Sequence, residues 1–348
     1  MAAQTSSNGS VRYLLRSAAA ICQALLEASF RRMLKGPQRP GWNWFMELGT
    51  AVLRKRLAIA FRMGDVNEER RFLDSIVFGP SVPEIKISSV VSGQVRGHWF
   101  GDGRAEDRAT VLYLHGGGYS FYPRGYARFI ALLTRALGSR TFAPDYRLTP
   151  EHRFPEQLED ALDAYRWLLE GGTGLEKLVL AGDSAGANLA LAMLLAARDA
   201  KLPLPALAIL LSPPTDFEAV PARAPSDPDA DWIAWPMLER WANWFCDAAQ
   251  RRNPLVSPVR ADLRGLPPIY IQAGRAEILY ESIQAFAAAA RNQGADVVLE
   301  AWEEMNHDFQ IFAPDVPQSA EAVRRIAEVV EARTQGLQRS EVVSAPDL

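Results

Sequence analysis

The chain has 348 residues, 48% of them hydrophobic and 23% charged, a globular balance with enough apolar material for one large core. A net charge of −3 excludes the basic domain that nucleic-acid binding demands. Only two cysteines occur, Cys22 and Cys246, neither in a CxxC pair; this argues against a disulfide framework or a metal site, and both are read as buried small apolar residues.

Residues 1–9 are small and polar and are expected to be disordered. From about 11 to 75 the pattern is helical, broken at Gly36-Pro37 and Pro40-Gly41, and residues 1–75 read as helices that pack on the rest of the chain. This segment carries twelve Lys/Arg against six Asp/Glu. A solvated helix face is the plain reading of that excess, and contact with an anionic membrane surface is the other. Gln23 and Glu27 interrupt the apolar stretch 11–33, which fits an amphipathic helix better than a secretory signal. No apolar run reaches the ~18 residues of a membrane span, so no transmembrane segment and a cytoplasmic location are expected.

From about residue 85 the rhythm changes. Strands are predicted over 84–91, 95–99, 110–114, 140–143, 178–181, 206–211, 269–272 and 297–302. Helices are predicted over 127–137, 157–170, 187–200, 281–293 and 318–334. Strand–helix alternation implies a mostly parallel sheet covered on both faces. Residues 216–255 interrupt it with Trp232, Trp235, Trp241 and Trp244 and read as an insertion over a ligand crevice. The units expected are thus a helical segment 1–75, a catalytic unit 76–215 plus 256–335, the insertion 216–255, and a disordered tail 336–348.

The strongest chemical signal is Gly182-Asp183-Ser184-Ala185-Gly186, between the strand pattern LVLA and a long helical run. This is the setting of a nucleophile elbow: a tight strand-to-helix turn lifts the serine above the sheet, and the flanking glycines remove side chains that would collide. The second signal, His115-Gly116-Gly117-Gly118, follows the strand pattern TVLYL. Three successive glycines let the backbone approach a substrate and aim N–H groups at a developing oxyanion, and the N–H groups of Gly116, Gly117 and Ala185 are assigned to that hole. No phosphate-loop lysine follows it, and no dinucleotide glycine pattern is present. Of the four histidines, His307 lies after the last strand, where the general base belongs when the chain order is serine, acid, histidine. Glu277, after the strand at 269–272, is the acid, with Glu281 and Asp216 in reserve.

The motifs HGGGY (115–119), DYRLTPE (145–151), GDSAG (182–186), NPLVSP (253–258), LPPIYIQAGRAEIL (266–279) and NHDFQIF (306–312) occur in one order. Over about 85–330 the chain resembles the bacterial hormone-sensitive-lipase-like esterases. The resemblance implies an α/β-hydrolase fold, a mostly parallel eight-stranded sheet with helices on both faces plus a helical cap formed by the N-terminal helices and residues near 216–255. It implies a Ser184–His307–Glu277 triad, with glutamate where that family most often has aspartate. It implies hydrolysis of short- to medium-chain acyl esters without a dissociable cofactor. Lactone hydrolysis on the same machinery is the main alternative, and a non-catalytic small-molecule receptor is a further one. A small ester is the expected partner; cap helices or an edge strand could also pair two chains as a homodimer.

Overall fold

The computed structural model describes residues 7–76, 82, 84–102, 108–122, 125–218 and 231–341. The strands are β1 (Ile87–Ser92), β2 (Val95–Phe100), β3 (Thr110–Leu114), β4 (Arg140–Pro144), β5 (Leu178–Asp183), β6 (Leu207–Leu211), β7 (Ile269–Gly274) and β8 (Val297–Trp302). They form one eight-stranded sheet in the order β1-β2-β4-β3-β5-β6-β7-β8. The β1–β2 and β2–β4 pairs are antiparallel and the remainder parallel.

The central strands β3, β5, β6 and β7 are buried along their whole length. That explains their near-continuous apolar sequences, because both faces of a parallel sheet are covered. Side chains alternate between two cores. Leu112, Leu114 and Leu180 join the cluster under α5 (Glu156–Glu170), α6 (Ser184–Asp199) and α8 (Tyr280–Asn292). Val111, Tyr113 and Val179 join the opposite cluster under α4 (Gly125–Leu137) and α9 (Pro317–Glu341).

Every strand and helix expected from 84 to 334 is present, with ends displaced by no more than three residues except at the C-terminus of α9. That helix continues to Glu341, through part of the tail expected to be disordered; Gln338, Arg339 and Glu341 are good helix formers, and no proline stops them. Residues 342–348 lie outside the described residues, as do 1–6 of the expected N-terminal disorder.

The expected Gly/Pro breaks separate α1 (Ser7–Lys35) from α2 (Trp44–Phe61); a further break at Gly64, which was not expected, precedes α3 (Val66–Leu73), and α1 takes in residues 7–9, which were expected to be disordered. Asn43 caps α2 by accepting the Met46 N–H at 2.9 Å, and Asp65 caps α3 from Asn67 and Glu68. These helices share an apolar cluster with α7 (Trp235–Phe245), built on Phe72, Leu73, Ile233, Met237 and Trp241. Arg240 of α7 donates to the buried Glu69 of α3 at 2.8 Å and lies over the Phe61 ring, 3.9 Å from its centroid. Arg70 fastens α3 to the sheet domain through Ser120 O, Thr149 O and Glu151. Of the insertion 216–255, residues 219–230 lie outside the described residues. No described helix is long and apolar enough to cross a membrane.

Cys246 is buried as expected, but Cys22 is exposed on α1. The inner face of α1 is made of Tyr13, Ser17, Ala20, Ala24 and Ala28, which turns Cys22 outward.

Candidate active site

The chain leaves β3 to one side to form β4, then returns to the other side of β3 as β5. That change of direction opens a crevice outside the C-terminal ends of β3 and β5, where open α/β sheets place their ligands. Both glycine-rich signals sit there, because Leu114 at the end of β3 pairs with Gly182 near the end of β5.

Ser184 occupies the turn between β5 and α6 with φ +48°, a left-handed conformation that side-chain-bearing residues rarely adopt. The turn is tight enough to require its glycines. A Cβ on Gly182 would lie 2.6 Å from Gly186 O, and one on Gly186 would lie 2.0 Å from Leu114 O. The Ser184 backbone also opens the sixteen-residue helix α6, whose N-terminal end favours negative charge.

His307 follows β8. Its Nε2 lies 2.8 Å from Ser184 Oγ, and the ring is fully buried. Glu277 follows β7 and faces the other ring nitrogen, with Oε2 3.7 Å from Nδ1. The same oxygen accepts the Ser212 hydroxyl at 2.6 Å, and Ser212 Oγ accepts the Asp308 N–H at 3.1 Å. The turns bearing Glu277 and His307 are pressed together: a Cβ on Gly274 would lie 2.1 Å from Met305 O, and Ala276 N–H donates to that oxygen.

Asp231, just before α7, joins both turns. Its buried carboxylate accepts the Ile278 N–H at 2.9 Å and the His307 N–H at 3.3 Å. Trp232 Nε1–H donates to His307 O at 2.7 Å, and Arg54 of α2 holds Asp231 O. Asn306 donates to Thr50 of α2. The N-terminal helices and α7 therefore hold the histidine turn from above.

The glycine loop is braced from below. The His115 ring is stacked between Tyr122 and Tyr146, with centroids 3.8 and 4.2 Å away, and Nδ1–H donates to Gly116 O. Burial pushes its pKa down to about 3, so the ring is neutral. Tyr146 donates to His115 O at 2.6 Å. Asp183 reaches across from β5 to accept the Tyr113 hydroxyl at 2.6 Å and the Gly116 N–H at 2.9 Å. Burial raises Asp183 to about 6, against the pull of hydrogen bonds from Tyr113, Tyr126 and Gly116.

That last bond corrects the expected donor set. The Gly116 N–H is engaged by Asp183, while those of Gly117 and Gly118 donate to no oxygen among the described residues. Both later glycines have positive φ and no room for a Cβ, which would meet Phe121 O at 2.2 Å and the Trp241 ring at 2.6 Å respectively. Gly117, Gly118 and Ser184 border an apolar cavity of about 430 Å³, with Trp232 and Trp241 from the insertion and Val52 and Leu57 from α2.

The family described as the alpha/beta hydrolase fold matches residues 111–311. An acetyl-hydrolase of Streptomyces hygroscopicus is 39% identical over 67% of this chain and 79% of its own length. A crystal structure of an esterase from the bacterial hormone-sensitive lipase family has a TM-score of 0.75 at 32% identity, covering 84% of this chain and 99% of the other. The chain belongs to the bacterial hormone-sensitive-lipase-like esterases of the α/β-hydrolase fold. An esterase of Acinetobacter venetianus is 32% identical over 72% of this family member and 83% of its own chain.

In this esterase the reserve acids face elsewhere. Asp216 accepts the Glu218 N–H and lies 3.7 Å from Arg260, and Glu281 is exposed in the first turn of α8. Among the other histidines, His98 is 3.5 Å from Asp145 and His152 is 2.7 Å from Glu156, both away from the cavity. A residue the sequence did not single out is Asp308. It has φ +48°, and its buried Oδ2 lies 3.2 Å from His307 Nε2. Burial, and the carboxylates of Asp183, Glu277 and Asp231, hold Asp308 well above the usual carboxylate range. Burial opposes a charge on His307, but Asp308, Glu277 and Asp231 outweigh it and raise the imidazole above its ordinary value.

A base must be neutral to take a proton, so a raised imidazole moves the acid limb of kcat/KM above the ~6.5 of free histidine. The Asp308 carboxylate and the His307 imidazolium favour each other, so Asp308→Asn removes a partner of the charged ring and should move the limb to lower pH. Profiles of kcat/KM for p-nitrophenyl butyrate, taken for both proteins, check this; a limb that stays put or rises contradicts it.

Proposed function

We propose that this protein is a carboxylesterase that cleaves short- to medium-chain acyl esters through a Ser184–His307–Glu277 triad and an acyl-enzyme. The supporting observation is the 2.8 Å approach of His307 Nε2 to Ser184 Oγ at the wall of an apolar cavity bordered by two glycine N–H groups that donate to no oxygen among the described residues.

The ester carbonyl oxygen sits among the N–H groups of Gly117, Gly118 and Ala185. Ser184 Oγ attacks the carbonyl carbon as its proton passes to His307 Nε2. Donors already aimed at the oxyanion need no reorganisation, and each commonly supplies about 3 kcal/mol. Glu277 fixes the Nδ1–H tautomer and stabilises the imidazolium; its separation shortens as charge forms on the ring. His307 returns the proton to the leaving alcohol. Water, deprotonated by the same nitrogen, then attacks the acyl carbon and releases the acid. Residues 1–75 and 216–255 act as the cap that encloses the acyl group.

The size of the cavity sets the chain length. An apolar cavity of about 430 Å³ is at the small end for ligand sites. Acyl chains of about two to eight carbons should therefore have higher kcat/KM than a sixteen-carbon chain. A series of p-nitrophenyl esters tests this. Faster turnover of emulsified long-chain triglyceride than of soluble butyrate esters overturns it.

A further inference from the structure

α1 has two apolar faces. The inner one, from Tyr13 to Ala28, is small and packs onto the protein. The outer one carries Val11, Leu15, Leu26, Phe30, Met33 and Leu34, exposed from 51% at Val11 to 74% at Met33, with Leu14 and Leu25 on its flank at 47% and 40%. These positions recur at helical spacing, opposite the inner face, over about 35 Å of helix. An exposed apolar face with large side chains grouped at 11–15 and 25–34 marks an interaction surface.

Charge identifies the occupant. α1 carries Arg12, Arg16, Arg31, Arg32 and Lys35 against one acid, Glu27, which pairs with Lys55. The basic residues cluster at both ends of the helix, so pairing α1 with a second copy of itself, parallel or antiparallel, sets like charges against like. Arg12 pairs with Glu68, and Arg31 and Arg32 with Glu47, whereas Arg16 and Lys35 form no ion pair among the described residues and are free to meet an anionic surface. Large apolar side chains with basic residues alongside suit the plane of an anionic bilayer, with the stripe at the acyl boundary and the cations among the headgroups. The cavity lies close by. Ile21, on the flank of α1, borders it, as does Phe45 of α2, which is itself 55% exposed.

We propose that α1 docks this esterase onto an anionic lipid surface and brings the cavity entrance next to the bilayer, where lipophilic esters concentrate. The docking stands apart from the triad reading, because vesicle binding is measured without substrate.

The test is co-sedimentation of the full chain with phosphatidylglycerol/phosphatidylcholine vesicles and with phosphatidylcholine alone. Binding is expected to the anionic vesicles, weakening with salt. Leu26→Glu/Met33→Glu alters only exposed side chains and should lower binding about tenfold or more, while turnover of soluble p-nitrophenyl butyrate is unchanged. Arg16→Glu/Lys35→Glu should lower binding to the anionic vesicles by about tenfold. No binding of the unaltered chain overturns the proposal, as does equal binding by the apolar double variant. A dimer in sedimentation velocity that Leu26→Glu/Met33→Glu converts to monomer, without vesicle binding, assigns the stripe to a second copy instead.

Discussion

Ser184→Ala should lower kcat on p-nitrophenyl butyrate by about 10⁶ and leave the fold intact. Alanine keeps the β5–α6 turn and loses only the oxygen that His307 Nε2 faces at 2.8 Å. His307→Ala should cost about as much, and the double variant no more than either single one. Nucleophile and base act as one unit, so removing either abolishes the covalent route. The residual rate would come from the glycine N–H groups and cavity binding, which neither change touches. Steady-state kinetics on the three proteins, with circular dichroism as the fold control, decide the matter. A Ser184→Ala protein within tenfold of the unaltered rate removes this serine from the reaction.

The second large effect belongs to Glu277→Gln, expected to lower kcat by about 10⁴. Glutamine is nearly isosteric and can still accept the Ser212 hydroxyl that Oε2 accepts at 2.6 Å. It can also turn an N–H₂ toward His307 Nδ1, which favours the tautomer with its proton on Nε2. A histidine in that state cannot take the proton of Ser184. Stability should change little, since the charge removed is one that burial already disfavours. Losing stability while keeping activity would make Glu277 a structural residue of the β7 turn.

The sheet was legible because its central strands are covered on both faces and so read as short, nearly unbroken apolar runs. The elbow was legible because Gly182 and Gly186 are demanded by backbone contacts as close as 2.0 Å, a local requirement that fixes residue type. The engagement of Gly116 was not. It depends on Asp183, 67 positions away, and the adjacency of the two exists only once β3 and β5 pair. Asp231 is similar. Its partners Ile278 and His307 are 47 and 76 positions away, and nothing in its own neighbourhood marks it. Periodicity likewise gave α1 one apolar face where there are two. Hydrophobicity arguments favour burying Leu26 and Phe30, whereas the helix packs through Ala20, Ala24 and Ala28, which allow close approach, and leaves the large side chains outside.

The segments packed over the site bear on its geometry as well as on access. His307 is held through its N–H by Asp231 and through its carbonyl by Trp232, and the neighbouring Asn306 is tied to α2. His307 is thus positioned by the same segments that border the cavity, which couples the shape of the pocket to the placement of the imidazole.

The most direct measurement is covalent trapping. A p-nitrophenyl alkylphosphonate, whose tetrahedral phosphorus mimics the oxyanion intermediate, is incubated with the protein, released p-nitrophenol is counted, and the adduct is located by peptide mass mapping. One equivalent of p-nitrophenol and a single adduct on the Ser184 peptide, formed far more slowly in His307→Ala, is the expected result. An adduct on another side chain, or undiminished ester hydrolysis after Ser184 is fully modified, would contradict nucleophilic catalysis by Ser184.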